Sequence, residues 1–143
     1  VDDLVESGVE IIAIDATDRP RPDGKTIEKF VKDIRKKHGD ILLMADISTL
    51  KEGIAAEKAG FDLVGTTLAG YTSYSEKRDE PNYDLLKKLK KNLKVPIIAE
   101  GKIHTPTQAK KVFDYGAYAV VVGSAITRPE EIVKRYMKKI KEV

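Results

Sequence analysis

The feature that most limits what this chain can become is a recurring order of helical stretch, glycine and short aliphatic run. Gly8, Gly39, Gly60 and Gly116 each close a helical stretch just ahead of such a run, where a left-handed cap lets the chain turn. The runs Val9 to Ala16, Ile41 to Ile47, Phe61 to Leu68, Val95 to Glu100 and Ala119 to Ala125 are aliphatic or β-branched, the pattern of strands buried on both faces. Between them apolar residues recur at helical spacing in Lys-rich surroundings, as in Ile27, Phe30, Val31 and Ile34, and in Leu85, Leu86, Leu89 and Leu93. Thr49 with Glu52 and Thr105 with Gln108 match capping boxes, and Pro129 followed by Glu130 and Glu131 opens a last helix. Strand and helix in alternation predict an α/β fold with a parallel sheet and right-handed crossovers. Five βα units fit either an open flavodoxin-like sheet or the later part of an eight-stranded barrel.

Size and composition remove several classes of function. At 143 residues the chain has the length of one domain, and 41% hydrophobic against 34% charged residues is enough apolar surface for a core. Zero cysteines exclude a disulfide framework, thiolate metal sites and a cysteine nucleophile, and fit a reducing cytoplasm. No apolar run reaches the ~18 to 20 residues of a membrane helix, so no membrane partner and a cytoplasmic location are expected. The net charge of +3 is scattered, and the pairs Lys87-Lys88, Lys90-Lys91 and Lys138-Lys139 lack interleaved aromatics, so no nucleic-acid partner is expected. The sequence opens at Val1 inside an amphipathic stretch, which suggests a piece of something longer.

In parallel α/β folds ligands bind at the carboxyl ends of strands, so the residues that end each aliphatic run carry the functional information. Here they are Asp15, Asp46, Thr66 with Thr67, Glu100, and Gly123-Ser124. A carboxylate behind an aliphatic run is partly desolvated, which raises its pKa toward the range of a general base. Glu100 fits that role or a simple pairing with the following loop. Asp46 has the same two readings, because Asp46-Ile47-Ser48-Thr49 also reads as ordinary helix capping. Asp15 to Pro20 fits a salt-bridged loop. Gly101 with Lys102, and Gly123 to Thr127 leading to Pro129, read as main-chain donors facing an anion or as plain tight turns, with Lys102 and Arg128 adding charge. His38 is read as a surface residue on a helix dipole, and His104, four residues after Glu100, as a loop residue. No histidine pair, dinucleotide fingerprint or Walker loop is present, so no metal and no cofactor are expected.

Five segments taken together resemble one family: Ala13 to Pro22, Met44 to Thr49, Gly65 to Thr72, Ile98 to Lys102 and Val122 to Pro129. In this order they are similar to the N-acylglucosamine-6-phosphate 2-epimerases, also called N-acetylmannosamine-6-phosphate 2-epimerases. The resemblance spans the whole chain but only the later part of the family's pattern, strands four to eight. It implies a phosphate-binding (β/α)₈ TIM barrel, here residues 1–143 as one partial barrel without its first three βα units.

By that resemblance the reaction inverts carbon 2 of an N-acetylated hexosamine 6-phosphate, in sialic-acid catabolism, by deprotonation next to the open-chain aldehyde and reprotonation on the other face. Glu100 matches the family's catalytic glutamate and Asp46 a carboxylate that places the reacting groups. Gly101, Lys102, Gly123, Ser124 and Arg128 match the phosphate end. The family's catalytic lysine and a substrate-binding arginine belong to early strands and have no counterpart here, so the isolated chain is expected to be weak or inactive. The alternative is a non-catalytic sugar-phosphate-binding half-barrel; another phosphate-binding barrel enzyme, an aldose-ketose isomerase or a lyase, is a third reading. Two open sheet edges and an apolar inner face imply a homodimer or association with the missing barrel segment.

Overall fold

The computed structural model describes residues 1–142, and among them the alternation becomes one parallel sheet of five strands in sequence order. The strands are β1 (Ile11–Asp15), β2 (Leu42–Asp46), β3 (Leu63–Gly65), β4 (Ile97–Glu100) and β5 (Ala119–Val121). The helices are α1 (Asp2–Glu6) before the first strand, then α2 (Ile27–His38), α3 (Leu50–Ala59), α4 (Tyr83–Asn92), α5 (Pro106–Asp114), the single turn α6 (Ser124–Thr127) and α7 (Pro129–Ile140). Sequential order β1 to β5, with a helix after every strand, is the arrangement of consecutive units in a (β/α)₈ barrel rather than the reversed order of a flavodoxin-like sheet.

Both capping boxes form as the sequence predicts. Thr49 accepts from the Glu52 amide and Thr105 from the Gln108 amide, and each acidic or amide partner reaches back to the cap. The expected left-handed cap is realised at Gly60, where φ is +96° and a β-carbon would be strained. Ile12, Ile14, Leu43, Ala45 and Val64 form the helix-facing side of the sheet, and Val31, Ile34, Ala56, Leu86, Leu89 and Val112 close over it. Gly53 lets α3 lie against α4: a β-carbon there would fall 2.6 Å from Leu89 Cδ2.

Three expectations need correction. The strands are shorter than the apolar runs: Phe61, buried in the core, and Leu68 lie outside β3, and Ala125 belongs to α6. Not every strand is buried on both faces: β1 alternates exposed and buried, and Ile11 on β1, Leu42 on β2 and Val121 on β5 stand 44%, 43% and 41% exposed. His38 sits in the last turn of α2 as read, but it is not an exposed surface residue. Its ring is largely buried, and Nε2 lies 2.6 Å from Asp2 Oδ1, joining the end of α2 to α1.

Candidate functional site

The parallel register sets the site. Asp15 pairs with Asp46, and Asp46 with Gly65, so the ends of three neighbouring strands form one row on the carboxyl rim; Glu100 ends β4 opposite Val121. Gly65 has no side chain where the row is most crowded. A β-carbon there would lie 3.0 Å from Thr67 Oγ1 and 3.2 Å from Asp46 Oδ1, so glycine is required by close approach rather than by its backbone angles.

That space is filled by a contact between Asp46, Thr67 and Glu100. Thr67 Oγ1 lies 2.6 Å from Asp46 Oδ1 and 3.2 Å from Glu100 Oε2, so one hydroxyl spans carboxylates on β2 and β4. The backbone of Glu100 is held separately. Thr66 Oγ1 donates to its carbonyl oxygen at 2.9 Å and accepts from its amide at 3.0 Å. Burial pushes the Asp46 carboxyl above its ordinary value, the Thr67 hydrogen bond works the other way, and the charges of Glu100 and Asp15 add to the rise. Asp46 takes no part in capping α3, which Thr49 does, so its helix-capping reading is set aside.

Asp15 differs. Burial raises it, but hydrogen bonds from the Thr17 hydroxyl and amide, with Arg19 at 2.5 Å, outweigh that and leave it below the ordinary carboxylate range. The loop after β1 is therefore the salt-bridged turn the sequence suggested.

Beside the carboxylates lies a cleft of about 370 Å³ whose walls include Glu100, Gly101, Lys102, His104, Gly123 and Ser124. The structure brings Glu100, Gly101, Lys102, Gly123 and Ser124 to one wall, and His104, read from the sequence as a plain loop residue, joins them. Thr67 and Tyr71 share the wall, and Lys102 Nζ sits 4.5 Å from the centre of the Tyr71 ring, a cation–π contact. Lys102 is the one non-glycine residue with positive φ among the described residues, at 60°, directly after Gly101 at 93°. A left-handed lysine costs about 1 kcal/mol, so the turn after β4 holds a strained residue beside the cleft. Arg128 is not on this wall; it is exposed between α6 and α7. His104 is on it, with Nδ1 buried and unpartnered among the described residues, and burial, followed by Arg135 and Lys102, holds it below its ordinary value.

Two residues essential to this geometry had no role read for them in the sequence: Thr67, named only as a strand-end residue, and Glu52, named only as a capping-box partner. Glu52 is 1% exposed and accepts from the Ser48 and Thr49 amides, the Ser48 hydroxyl, the Asp18 amide and the Tyr74 hydroxyl. It thereby joins the loops after β1, β2 and β3. The capping-box spacing revealed only its contact with Thr49.

Fold and rim together define a parallel α/β protein of the (β/α)₈ barrel type, with paired carboxylates and a glycine-lined cleft at the carboxyl ends of its strands. Residues 1–142 match the model of a family described as "Putative N-acetylmannosamine-6-phosphate epimerase". A relative of that name from Caldanaerobacter subterraneus is 55% identical over 142 residues, 99% of this chain and 60% of its own length. Another, from Clostridium perfringens strain SM101, is 53% identical over 136 residues, 95% of this chain and 61% of its own. The solved N-acetylmannosamine-6-phosphate 2-epimerase of Clostridium perfringens superposes with a TM-score of 0.89 at 50% identity, over 96% of this chain and 59% of that one. A thiamine phosphate pyrophosphorylase from Pyrococcus furiosus, 19% identical with a TM-score of 0.65, shares the fold. The chain belongs to the N-acetylmannosamine-6-phosphate 2-epimerase family, and it spans about three fifths of the length of the relatives it matches.

Proposed function

We propose that the protein carrying this chain interconverts N-acetylmannosamine 6-phosphate and N-acetylglucosamine 6-phosphate by moving a proton at carbon 2. The observation that carries the reading is the Asp46–Thr67–Glu100 contact on the rim, directly beside the Gly101, Lys102, Gly123 and Ser124 cleft. In the open-chain sugar carbon 2 is next to the aldehyde, so removing its proton gives an enolate that hydrogen-bond donors stabilise. Glu100 is the acid–base group in this scheme, and Asp46 positions the reacting atoms. The phosphate lies against the Gly101 and Gly123 turns with Lys102 supplying charge; Arg128 reaches it only by turning in from solvent.

Inversion needs a second acid–base group on the opposite face of the carbon. By the family resemblance that group is a lysine of an early strand, which has no counterpart in this chain. The exposed inner positions Ile11, Leu42 and Val121 support the same view: residues 1–143 act as one domain of five βα units, completed by three further units or by a second copy. The reaction on a phosphorylated amino sugar belongs to the cytoplasm.

The test is exchange of the carbon-2 proton of N-acetylmannosamine 6-phosphate in deuterated water, followed by NMR. Full-length protein should exchange and epimerise, a Glu100→Gln variant should lose at least about 10²-fold, and the isolated chain should do neither. Phosphate-dependent binding by the full-length protein with no exchange would replace this reading with a non-catalytic sugar-phosphate-binding module.

A further inference from the structure

We infer that Tyr71 is a positioning residue for the phosphate end of the cleft: its ring holds the Lys102 ammonium there without neutralising it, and so sets the preference for a phosphorylated over an unphosphorylated sugar. The inference rests on the phosphate reading of this cleft proposed above; the ring's hold on Lys102 stands on the structure alone.

A lysine that recognises an anion meets two conflicting demands. Its long stem must be held, or the cost of ordering it falls on binding, yet a carboxylate that held it would cancel the charge the anion needs. An aromatic face resolves the conflict, because the ring attracts a cation through its quadrupole and carries no net charge to cancel it. Lys102 has that arrangement. Its Nζ lies 4.5 Å from the centre of the Tyr71 ring, and among the described residues it makes no hydrogen bond and no ion pair.

The contact is built from both sides. Lys102, at φ 60° directly after Gly101 at 93°, projects its side chain from a left-handed turn. The Tyr71 ring packs on that same turn: a β-carbon on Gly101 would stand 3.9 Å from Tyr71 Cε2, an ordinary contact distance. The ring leaves a braced segment of chain. The Tyr71 amide donates to the Leu68 carbonyl at 2.9 Å, the Gly70 and Thr72 amides to Ser75 Oγ at 3.0 and 3.3 Å, and the buried Thr72 hydroxyl to Ser48 Oγ at 3.1 Å. The loop after β3 thus fixes a cation that belongs to the turn after β4, on the wall that Gly123 and Ser124 share.

The neighbouring charges do not take over the ring's part. Glu100 is the one acidic side chain on the cleft wall, and its Oε2 contacts Thr67 instead of Lys102. The early-strand lysine and arginine that the family resemblance adds to the complete site are cations as well. They increase the pull on an anion and cannot pair with Lys102. Tyr71 and Lys102 both belong to this chain, so a change at residue 71 reads their contact against whatever those strands contribute.

The experiment compares two probes on the full-length protein: inorganic phosphate, followed by ³¹P NMR, and unphosphorylated N-acetylmannosamine, followed by ¹H NMR. Tyr71→Leu should weaken phosphate binding about 5-fold and leave the unphosphorylated sugar within about two-fold. KM for N-acetylmannosamine 6-phosphate should rise by the same factor, the loss falling on KM more than on kcat. Tyr71→Phe keeps the ring face and should keep the affinity. Fluorinated phenylalanines at position 71 hold the shape while draining the face of negative charge, so phosphate affinity should fall with each added fluorine; this series also decides the matter should the leucine variant fail to fold. In a Lys102→Met background Tyr71→Leu should have no further effect on phosphate, a result that a merely structural ring would not give.

Equal weakening of both probes, a phenylalanine variant as poor as leucine, affinity indifferent to fluorine, or an unmodified protein that does not bind phosphate would each overturn the inference. Phosphate binding that depends on Tyr71 in a protein with no carbon-2 proton exchange would sink the proposed function alone. Epimerisation with unaltered phosphate affinity in Tyr71→Leu would sink this inference alone.

Discussion

The Thr66 hydroxyl is inserted between the amide and the carbonyl of a single residue, Glu100, accepting from one at 3.0 Å and donating to the other at 2.9 Å. It thus extends the β3–β4 ladder by a side chain, one step beyond the main-chain bond from the Thr66 amide to the Ile98 carbonyl. Thr66 is 5% exposed, so Thr66→Val leaves two buried backbone groups without partners and should cost about 1–3 kcal/mol. Urea unfolding checks the stability. Proton exchange at carbon 2 should also slow, because the backbone that aims Glu100 is no longer fixed; unaltered stability and rate would show that the ladder holds without it.

Asp46 lowers stability where it is charged. Burial, followed by nearby negative charge, raises its carboxyl in the fold, so between the unfolded and folded values the native state binds more protons and stability falls as pH rises. The penalty is absent below the unfolded value and complete above the folded one. Asp46→Asn should therefore raise the melting temperature at neutral pH, by about 0.5–2 kcal/mol in stability, with the difference vanishing at about pH 3. Activity should fall in the same variant, and calorimetry at several pH values reads the first effect.

Glu52 has the opposite sign. Its burial works against ionisation, but the Tyr74 hydroxyl, the Asp18 and Ser48 amides and the Ser48 hydroxyl outweigh that and hold its carboxyl below the ordinary value. The stability it contributes is present above the unfolded value and is lost as pH falls through the folded one. Glu52→Gln should cost about 2 kcal/mol or more at neutral pH and should flatten the acid limb of the stability curve. Acid titration followed by circular dichroism checks both.

Gly53 would be a favourable site for alanine by helix propensity alone, worth about 1 kcal/mol. The added carbon would meet Leu89 Cδ2 at 2.6 Å, and Leu89 is fully buried against Val64 and α3. Overpacking costs about 1–3 kcal/mol, so Gly53→Ala should be neutral to destabilising instead of stabilising. Thermal unfolding decides the sign.

Gly65→Ala should act on the site more than on the fold. Its β-carbon would enter the space between Thr67 Oγ1 and Asp46 Oδ1 and force those atoms apart. Loss of turnover on the order of 10²-fold with substrate binding largely kept is the expected pattern, read from kcat and KM.

What could be read in the sequence is what local chemistry writes there. The glycine before four of the five strands, the two capping boxes and the polar residue closing each aliphatic run all act within a few residues, so the parallel α/β order and the rim positions Asp46 and Glu100 were legible. The Thr67 bridge was not, because it depends on lateral register between strands whose bridged residues lie 21 and 33 positions away. Strand lengths were overread for a related reason: Phe61 is apolar because it packs in the core, not because it pairs. Nor could a run of aliphatics tell whether Ile11 and Leu42 meet a second layer or stand exposed.

Barrel folds usually vary their chemistry by replacing one strand-end loop while leaving the others in place. The shared carboxylate of Glu52 limits that freedom here. A graft that replaced the Gly70 to Asn82 loop would remove Tyr74, and a shortened first loop would remove the Asp18 amide; either would change the charge balance around the same acceptor. The three loops are therefore a single heritable unit, and substrate preference at this rim is expected to diversify by matched changes in all three or through the turns after β4 and β5, which Glu52 does not touch.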